Sequence, residues 1–209
     1  MQTQGERRNH GGGWNKGKAV GKKRPFTPEQ IGQIRYALKA REDRFGLALF
    51  ETALSTLLRS VDLLSLTVGD VVSQGAVVTE FSIMQRKTGK AHKVELSDPA
   101  RAAIKNLLEL DDAPALLPPG RSIWLAKGRR LNRLRYSNLV KDWARLAHLD
   151  PKTYSTHSLR RTMAAHVFRQ TNNVEVVRNL LGQKSVTATS EYLEVSLDDA
   201  LAVKRRFEI

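Results

Sequence analysis

The chain has 209 residues, of which 41% are hydrophobic, and its formal net charge is +14 at pH 7. That length suffices for one well-buried domain, and no run of about 18 apolar residues is present that would cross a membrane. The absence of cysteine excludes disulfides and cysteine-ligated metals and predicts a cytoplasmic protein. A positive charge of this size predicts a polyanionic partner, and nucleic acid is the first choice.

Residues 1–26 are basic and glycine-rich, and they are predicted to form a flexible arm that buries no core. Its basic side chains outnumber the single acid, Glu6. We expect them to contact DNA phosphates, and a solvated tail without a role is the alternative. The basic residues of this arm are Arg7, Arg8, Lys16, Lys18, Lys22, Lys23 and Arg24.

The folded domain, residues 27–209, is predicted to begin with a helix. Thr27 is a suitable N-cap, Pro28 suits the first helical position, and Gln30 follows three residues after the cap. A second helix is predicted from about Asp43 to Leu58, with Arg59 at its C-terminal end.

The hydrophobic period then changes to that of strands. Residues 76–83 and 93–96 are β-branched or alternate in polarity, which predicts an antiparallel pair. Between them, Gln85–Lys90 forms a hairpin connection that carries Lys87. The pattern therefore favours an α+β fold, mostly helical, with a small antiparallel sheet.

The rest of the chain is predicted to be mainly helical. One helix follows Ser97 and reaches about Leu110. Another spans Asn132 to Leu146, with four residues facing inward: Leu134, Leu139, Trp143 and Leu146. Further helices are expected over about 157–170 and 174–181, in a short segment ending near Tyr192, and over 197–206.

Polar residues at the ends of these elements are candidates for a reactive site, because a scaffold presents functional groups there. His157 and Arg160 lie three apart and can share a helix face. Two arginines can hold the non-bridging oxygens of a DNA phosphodiester by forked hydrogen bonds. A tyrosine hydroxyl can attack the phosphorus in line. The candidate catalytic set is Arg59, Lys87, His157, Arg160, Gln183 and Tyr192.

The remaining candidates have supporting roles in the same reaction. Lys87 can protonate the leaving sugar oxygen, and His157 can take the tyrosine proton or donate to a phosphate oxygen. Gln183 can donate one hydrogen bond. Asp62 either orients Arg59 or the hairpin lysine, or it is a surface acid. This chemistry requires no metal ion and no cofactor.

Neighbouring residues of the same type compete for some of these roles. Lys90 and Lys93 compete with Lys87, which its position before Thr88 and Gly89 favours, and Lys90 is then expected to contact DNA. Tyr154 competes with Tyr192 but precedes the His157 segment. Arg161 points about 100° away from Arg160 on a helix, so it is predicted to face DNA or solvent.

The ordered set resembles the tyrosine recombinases, the phage-integrase family of site-specific recombinases. Segment 58–64 is similar to the motif of the family's first arginine, and 86–90 to its hairpin lysine. Segment 157–160 is similar to its His-x-x-Arg box, 181–183 to its leucine-glycine-histidine segment, and Tyr192 to its nucleophile. The similarity covers roughly residues 27–206.

The resemblance implies a tyrosine-recombinase catalytic fold that cleaves and rejoins double-stranded DNA through a 3′-phosphotyrosyl intermediate, as a tetramer on DNA. Gln183 stands where the family usually has histidine or tryptophan, which implies slower chemistry. Only the arm precedes the catalytic domain, as in short, catalytic-domain-only members. The arm or an accessory DNA-binding protein is therefore expected to compensate for the separate helical domain typical of the family.

Two other functions suit the same scaffold. One is a non-catalytic DNA-binding or regulatory protein, and the other is a DNA-relaxing enzyme similar to type IB topoisomerases. The helix over 197–206 packs either on its own domain or, as the resemblance implies, on a neighbouring protomer. The DNA site and the choice among integration, excision, inversion and resolution stay open.

Overall fold

The computed structural model describes residues 23–109, 117–126 and 128–193. Helices make up most of this part, and small two-stranded antiparallel sheets accompany them. The predicted α+β class with a mostly helical body is confirmed. In the ranges described, no helix is long and apolar enough to span a bilayer.

The elements are numbered in chain order. Helices α1 to α5 span Pro28–Ala40, Arg44–Thr56, Ser60–Leu63, Val68–Val71 and Asp98–Leu108. Strands β1 to β6 span Val72–Ser73, Ala76–Val77, Glu80–Met84, Ala91–Glu95, Leu125–Ala126 and Arg129–Arg130, and each odd strand pairs with the next even one. Helices α6 to α9 span Arg133–Leu146, Thr156–Thr171, Val174–Leu180 and Val186–Leu193, and a 3-10 turn spans Pro151–Thr153.

Helix α1 begins where its capping signal predicts. The Thr27 hydroxyl accepts a hydrogen bond from the Gln30 backbone, and the Gln30 side chain accepts one from the Thr27 N–H at 3.0 Å. Ile34 and Leu38 face inward and are buried. Local sequence therefore determines both the start and the buried face of this helix.

Helix α2 is the centre of the core and packs against α1, α5 and α7. It ends at Thr56, because Leu57 adopts a left-handed conformation with φ 49°. The helix therefore ends two residues before the predicted end at about Leu58, and Arg59 lies outside α2, at the N-cap position of α3. Arg59 is partly buried at this position.

The sheet region contains two hairpins where the pattern predicted one. Residues 76 and 77 pair with Val72 and Ser73 through a tight turn at Gln74 and Gly75, both of which have positive φ. A separate strand, β3, then begins at Glu80 and pairs with β4, with Met84 opposite Ala91. The connection that carries Lys87 therefore closes the longer hairpin, as predicted.

Helix α6 buries a different stripe from the one predicted at its N-terminal end. Leu134 is 72% exposed, whereas Tyr136, Val140 and Trp143 are buried. The buried residues recur every three or four positions, and Leu134 lies two residues before the first of them. The inward orientation predicted for Leu134 is therefore wrong.

The folded body also begins earlier than predicted. Phe26 is buried and stacks on Tyr154 with ring centroids 4.4 Å apart, and its N–H donates to the Thr162 hydroxyl. The Lys23 ammonium and the Arg24 N–H donate to carbonyl groups of the 3-10 turn. The predicted arm boundary after residue 26 is corrected accordingly. The other predicted arm residues (Arg7, Arg8, Lys16, Lys18 and Lys22) and the predicted helix over 197–206 lie outside the described residues.

Candidate active site

One surface pocket of about 360 Å³ brings the candidate residues together from distant parts of the chain. All six line it: Arg59, Lys87, His157, Arg160, Gln183 and Tyr192. Arg133, at the first position of α6, also lines this pocket and was not among the predicted residues. Four arginine and lysine side chains and one histidine therefore face one cavity, which makes it a site for an anion.

Two partners orient the guanidinium group of Arg59. Its Nη1 donates to Oε1 of Gln85 at 3.0 Å and lies 4.0 Å from Oδ2 of Asp62. Asp62 is buried, and its Oδ1 accepts the N–H of Arg86 at 2.9 Å. Asp62 thus lies between Arg59 and the hairpin, in contact with the backbone next to Lys87.

Gln85 is a site residue that the sequence reasoning missed. It is buried, and its Oε1 also accepts the Thr88 hydroxyl at 3.0 Å. The signal was available, because Gln85 has the same parity as the inward residues Phe81 and Ile83. A polar residue at an inward strand position requires a buried partner, and here that partner is Arg59.

The three lysines of the β3–β4 hairpin have different surroundings. Lys87 is exposed at the tip and lines the pocket. Lys90 does not line the pocket, and Lys93 pairs with Glu80 at 2.7 Å. The geometry therefore favours Lys87 over the two other lysines for contact with a bound anion.

Helix α7 presents His157 and Arg160 from one face. Its N-cap is Ser155, whose hydroxyl accepts the His157 N–H. Partial desolvation of the imidazole, and then the charges of Arg160, Arg161 and Arg59, lower the pKa of His157. At neutral pH this side chain is therefore a neutral imidazole that can accept a proton.

Arg160 is a buried cation whose hydrogen-bonding capacity is only partly used. It is 5% exposed, Nη2 donates to the Leu181 carbonyl at 2.6 Å, and Nε has no hydrogen-bond partner among the described residues. Burial lowers the pKa of Arg160 to about 10, so the guanidinium stays protonated at neutral pH. An anion in the pocket would satisfy both its charge and its remaining donors.

The turn after α8 contacts both the β3–β4 hairpin and Arg160 of α7. Gly182 has φ +57°, and a Cβ at this residue would lie 2.5 Å from Nε2 of Gln85 and 3.0 Å from Nδ1 of His92. The imidazole of His92 hydrogen bonds to the backbone of Leu180. Glycine is required here because a side chain would collide with the residue that holds Arg59.

Tyr192 lies on α9 and packs against a small buried cluster formed by Leu57, Ala164, Val177 and Leu181. Its hydroxyl is buried and has no hydrogen-bond partner within the part of the chain described. Burial raises the pKa of Tyr192 to about 12, against the opposing charges, of which Arg160 is the largest. The hydroxyl is therefore a neutral phenol that needs a proton acceptor before it can attack.

Arg161 is placed differently from its prediction. Its side chain is buried, and its guanidinium lies 5.4 Å from the centroid of the Tyr192 ring. The predicted orientation toward DNA or solvent is therefore wrong. Helices α8 and α9 both pack against α7, and Arg161 lies where α7 meets the Tyr192 ring of α9. Arg161 contacts the candidate nucleophile through a cation–π interaction.

Acidic groups are scarce in this region. No Asp or Glu lines the pocket in the described ranges, and Asp62 lies behind it. Over the same residues, no group of three or more His, Cys, Asp or Glu side chains could hold a metal ion. What the pocket can do chemically follows from its cations, one imidazole and one phenol.

Comparison with known proteins gives a consistent result. The model of the Phage integrase family matches residues 24–198. The chain is 31% identical over 177 residues to Tyrosine recombinase XerD of Caulobacter vibrioides, covering 80% of this chain and 56% of the relative. It is 30% identical over 151 residues to Tyrosine recombinase XerC of Erythrobacter litoralis, covering 71% of this chain and 46% of the relative.

Solved structures show the same fold at lower identity. The crystal structure of XerA recombinase has a TM-score of 0.71 at 17% identity, covering 91% of this chain and 66% of that one. The XerH site-specific recombinase bound to palindromic difH substrate has a TM-score of 0.70 at 18% identity, covering 90% and 55%. The chain spans about half the length of the sequence relatives it matches.

Proposed function

The chain belongs to the phage integrase family, and from this membership and its cationic pocket we propose that it is a tyrosine-type site-specific DNA recombinase. It cleaves and rejoins double-stranded DNA through a 3′-phosphotyrosyl intermediate. One observation carries the proposal: Tyr192 lies in a single pocket with Arg59 and Arg160, whose guanidinium groups match a phosphodiester.

In the proposed reaction, Arg59 and Arg160 hold the two non-bridging oxygens of the scissile phosphate. Negative charge grows on these oxygens as the phosphorus becomes pentacovalent, and the contacts strengthen in the transition state. Two observations support this role: Nε of Arg160 has no hydrogen-bond partner among the described residues, and the side chain is buried. A bound phosphate would supply both an acceptor and a negative charge. Asp62 and Gln85 hold Arg59 in position.

The covalent step exchanges one phosphorus–oxygen bond for another. The Tyr192 oxygen forms a bond to phosphorus while the bond to the 5′ oxygen breaks. His157, neutral because its pKa is lowered, accepts the phenol proton, and Lys87 donates a proton to the 5′ oxygen. The reverse step rejoins DNA when a 5′ hydroxyl attacks, so the phosphodiester energy is conserved and no nucleotide cofactor is needed.

Lys87→Ala is expected to lower the cleavage rate about 10² to 10³-fold, because the 5′ oxygen then leaves without a positioned proton donor. The measurement is single-turnover adduct formation on a nicked duplex. On a duplex with sulfur in place of the bridging 5′ oxygen, the thiolate leaves without protonation, and the defect is expected to fall below about fivefold.

The matched control for this prediction is Lys90→Ala. It removes the same charge from the same hairpin, but Lys90 does not line the pocket. We expect weaker, more salt-sensitive DNA binding and an unchanged rate at saturating protein. A Lys87→Ala defect that the sulfur substrate does not relieve would rule out the proton-donor role.

Gln183→His is expected to raise the cleavage rate by about tenfold, because an imidazole can both donate to a phosphate oxygen and exchange a proton. The amide of Gln183 can donate a hydrogen bond to a phosphate oxygen but cannot exchange a proton. The rate is again measured on the nicked duplex, with the pH dependence as a second readout. A rate below that of the wild type would mean that the site is adapted to glutamine.

The experiment that tests the proposed function uses the DNA flanking the gene. A short inverted repeat found there is made as a nicked suicide substrate, and the protein is assayed for a covalent adduct. A phosphotyrosine adduct supports the proposal. Salt-sensitive binding without an adduct would instead support a DNA-binding or regulatory protein, and relaxation of supercoils without sequence preference would support a topoisomerase-like enzyme.

Double-stranded DNA is the proposed partner, and the cytoplasm is the proposed location of the reaction. Lys90 and Arg24 are exposed, and Lys23 is half-buried at the 3-10 turn that precedes α7. We assign these residues, together with the predicted arm residues 1–22, to contacts with the DNA backbone. An accessory protein is the proposed alternative source of binding strength.

A tetramer on two duplexes is the proposed active assembly. Val176, Leu180 and Val186 are exposed apolar residues on and next to α8. Leu180 also borders a groove lined by Leu57 and Met163. An exposed apolar surface of this kind supports contact with a second copy of the chain. The oligomeric state on DNA is measured by light scattering of the assembled complex.

A further inference from the structure

The side chain of Gln183 is tied to helix α9 by one contact. The Thr189 hydroxyl lies 2.6 Å from Oε1 of Gln183 and 3.0 Å from the Ser185 carbonyl. Thr189 is fully buried. It lies three residues before Tyr192, so both residues share one side of α9. The contact therefore joins a pocket residue to the helix that carries the candidate nucleophile.

The Thr189 hydroxyl has only one hydrogen, so it can donate to only one of its two neighbours. Two hydrogen-bonding arrangements are therefore possible. In the first, the hydroxyl donates to Oε1 of Gln183, and the amide NH2 group is left to face the pocket. In the second, the hydroxyl donates to Ser185, the amide is reversed and its NH2 group donates to Thr189. The second arrangement turns the amide oxygen toward the pocket.

The charge of a bound phosphate discriminates between the two arrangements. An amide oxygen facing a phosphate oxygen is repelled, whereas an NH2 group donates a charge-assisted hydrogen bond. Only the first arrangement is compatible with an anion in the pocket. A hydroxyl at residue 189 is needed to satisfy the part-buried amide oxygen in that arrangement, since an acceptor left unsatisfied away from water is costly.

We propose that Thr189 is a positioning residue that directs the NH2 group of Gln183 toward the scissile phosphate. Because Thr189 moves with α9, the Gln183 donor is in place only while the helix that carries Tyr192 is docked. Binding of the phosphate and delivery of the nucleophile are thereby coupled through one hydroxyl group. This inference rests on the proposed function of the pocket.

The first test compares two substitutions in the full chain. Thr189→Val keeps the shape of the side chain and removes the hydroxyl, and Thr189→Ser keeps the hydroxyl. Thr189→Val is expected to lower single-turnover adduct formation on the nicked duplex about tenfold, and Thr189→Ser to stay within about twofold of wild type. Thr189→Ala, with the same expected loss, replaces Thr189→Val if the latter does not fold.

The second test separates positioning from general packing. In a Gln183→Ala background, Thr189→Val is expected to have no further effect on the rate, because the group that Thr189 positions is already absent. An equal loss in both backgrounds would show that Thr189 only stabilises α9 and would overturn the proposal. Wild-type cleavage by Thr189→Val would overturn it as well.

A third measurement does not depend on cleavage. The side-chain amide resonances of Gln183, assigned from their loss in Gln183→Ala, are recorded for the free protein by NMR. They are expected to shift in Thr189→Val and to stay in place in Thr189→Ser. If the wild type forms no adduct, the proposed function fails, and these resonances still decide the Thr189 contact. Unchanged resonances in Thr189→Val would overturn it.

Discussion

Tyr192→Phe is expected to abolish covalent cleavage of DNA, by at least about 10³-fold, while DNA binding and folding are preserved. The substitution removes only the oxygen that forms the bond to phosphorus. The ring keeps its place against the small buried cluster that includes Ala164 and beside the guanidinium of Arg161. Because the buried hydroxyl has no hydrogen-bond partner among the described residues, its removal is expected to leave stability unchanged or to raise it by up to about 1 kcal/mol.

The measurement is adduct formation on the nicked suicide duplex, with a binding assay on the same DNA and a thermal melt. Tyr154→Phe is the matched control, because Tyr154 is the competing tyrosine and is buried against Phe26, away from the pocket lining. It is expected to form the adduct at the wild-type rate. The proposed function is wrong if Tyr192→Phe and the wild type behave identically.

Arg160→Met is expected to reduce cleavage by at least about 10³-fold and, in the same molecule, to raise thermal stability. Cleavage falls because the forked donors that hold the phosphate are lost. Stability rises because a buried charge whose nearest bonded partner is a carbonyl is replaced by an apolar side chain of similar length. We expect a gain of about 1 kcal/mol at neutral pH.

The stability of the wild-type protein is expected to depend on pH through Arg160. Burial lowers the pKa of Arg160 to about 10, below its ordinary value of 12.5 in the unfolded chain. Between these two pH values the unfolded state binds more protons, so wild-type stability rises with pH there through this group. Arg160→Met lacks this contribution, and its stability advantage is expected to shrink above pH 10.

Arg35→Met is the control, and it is expected to lower thermal stability where Arg160→Met raises it. Arg35 forms two hydrogen bonds with the buried carboxylate of Glu51, at 2.5 and 2.8 Å, and neither residue lines the pocket. Its loss leaves a buried carboxylate unpaired and is expected to cost about 3 kcal/mol. Cleavage per folded molecule is expected to be unchanged. A stability loss in Arg160→Met would contradict the inference that the buried charge of Arg160 destabilises the free protein.

The local signals of the sequence determined much of this molecule. The Thr27 cap starts α1, the Gln85–Lys90 connection lies in a hairpin, and residues 157–170 lie within a helix. Each of these depends on contacts between residues close in the chain, which spacing and residue type control directly. The order and spacing of the polar residues also predicted which side chains would meet in one pocket.

The tertiary structure decided which faces are covered and which distant polar groups meet. Arg161 contacts the Tyr192 ring because α8 and α9 pack on its side of α7, which no periodicity within α7 reveals. Leu134 is exposed although its residue type favours burial.

The same distinction applies to the candidate site itself. Arg59, Lys87, Gln183 and Tyr192 were identifiable from the sequence, whereas Gln85, Arg133 and Thr189 required coordinates. The first group was identified from its order and spacing along the chain, which resemble the motifs of the family. The second group matters through contacts between segments far apart in the chain, and packing of the whole domain determines those contacts.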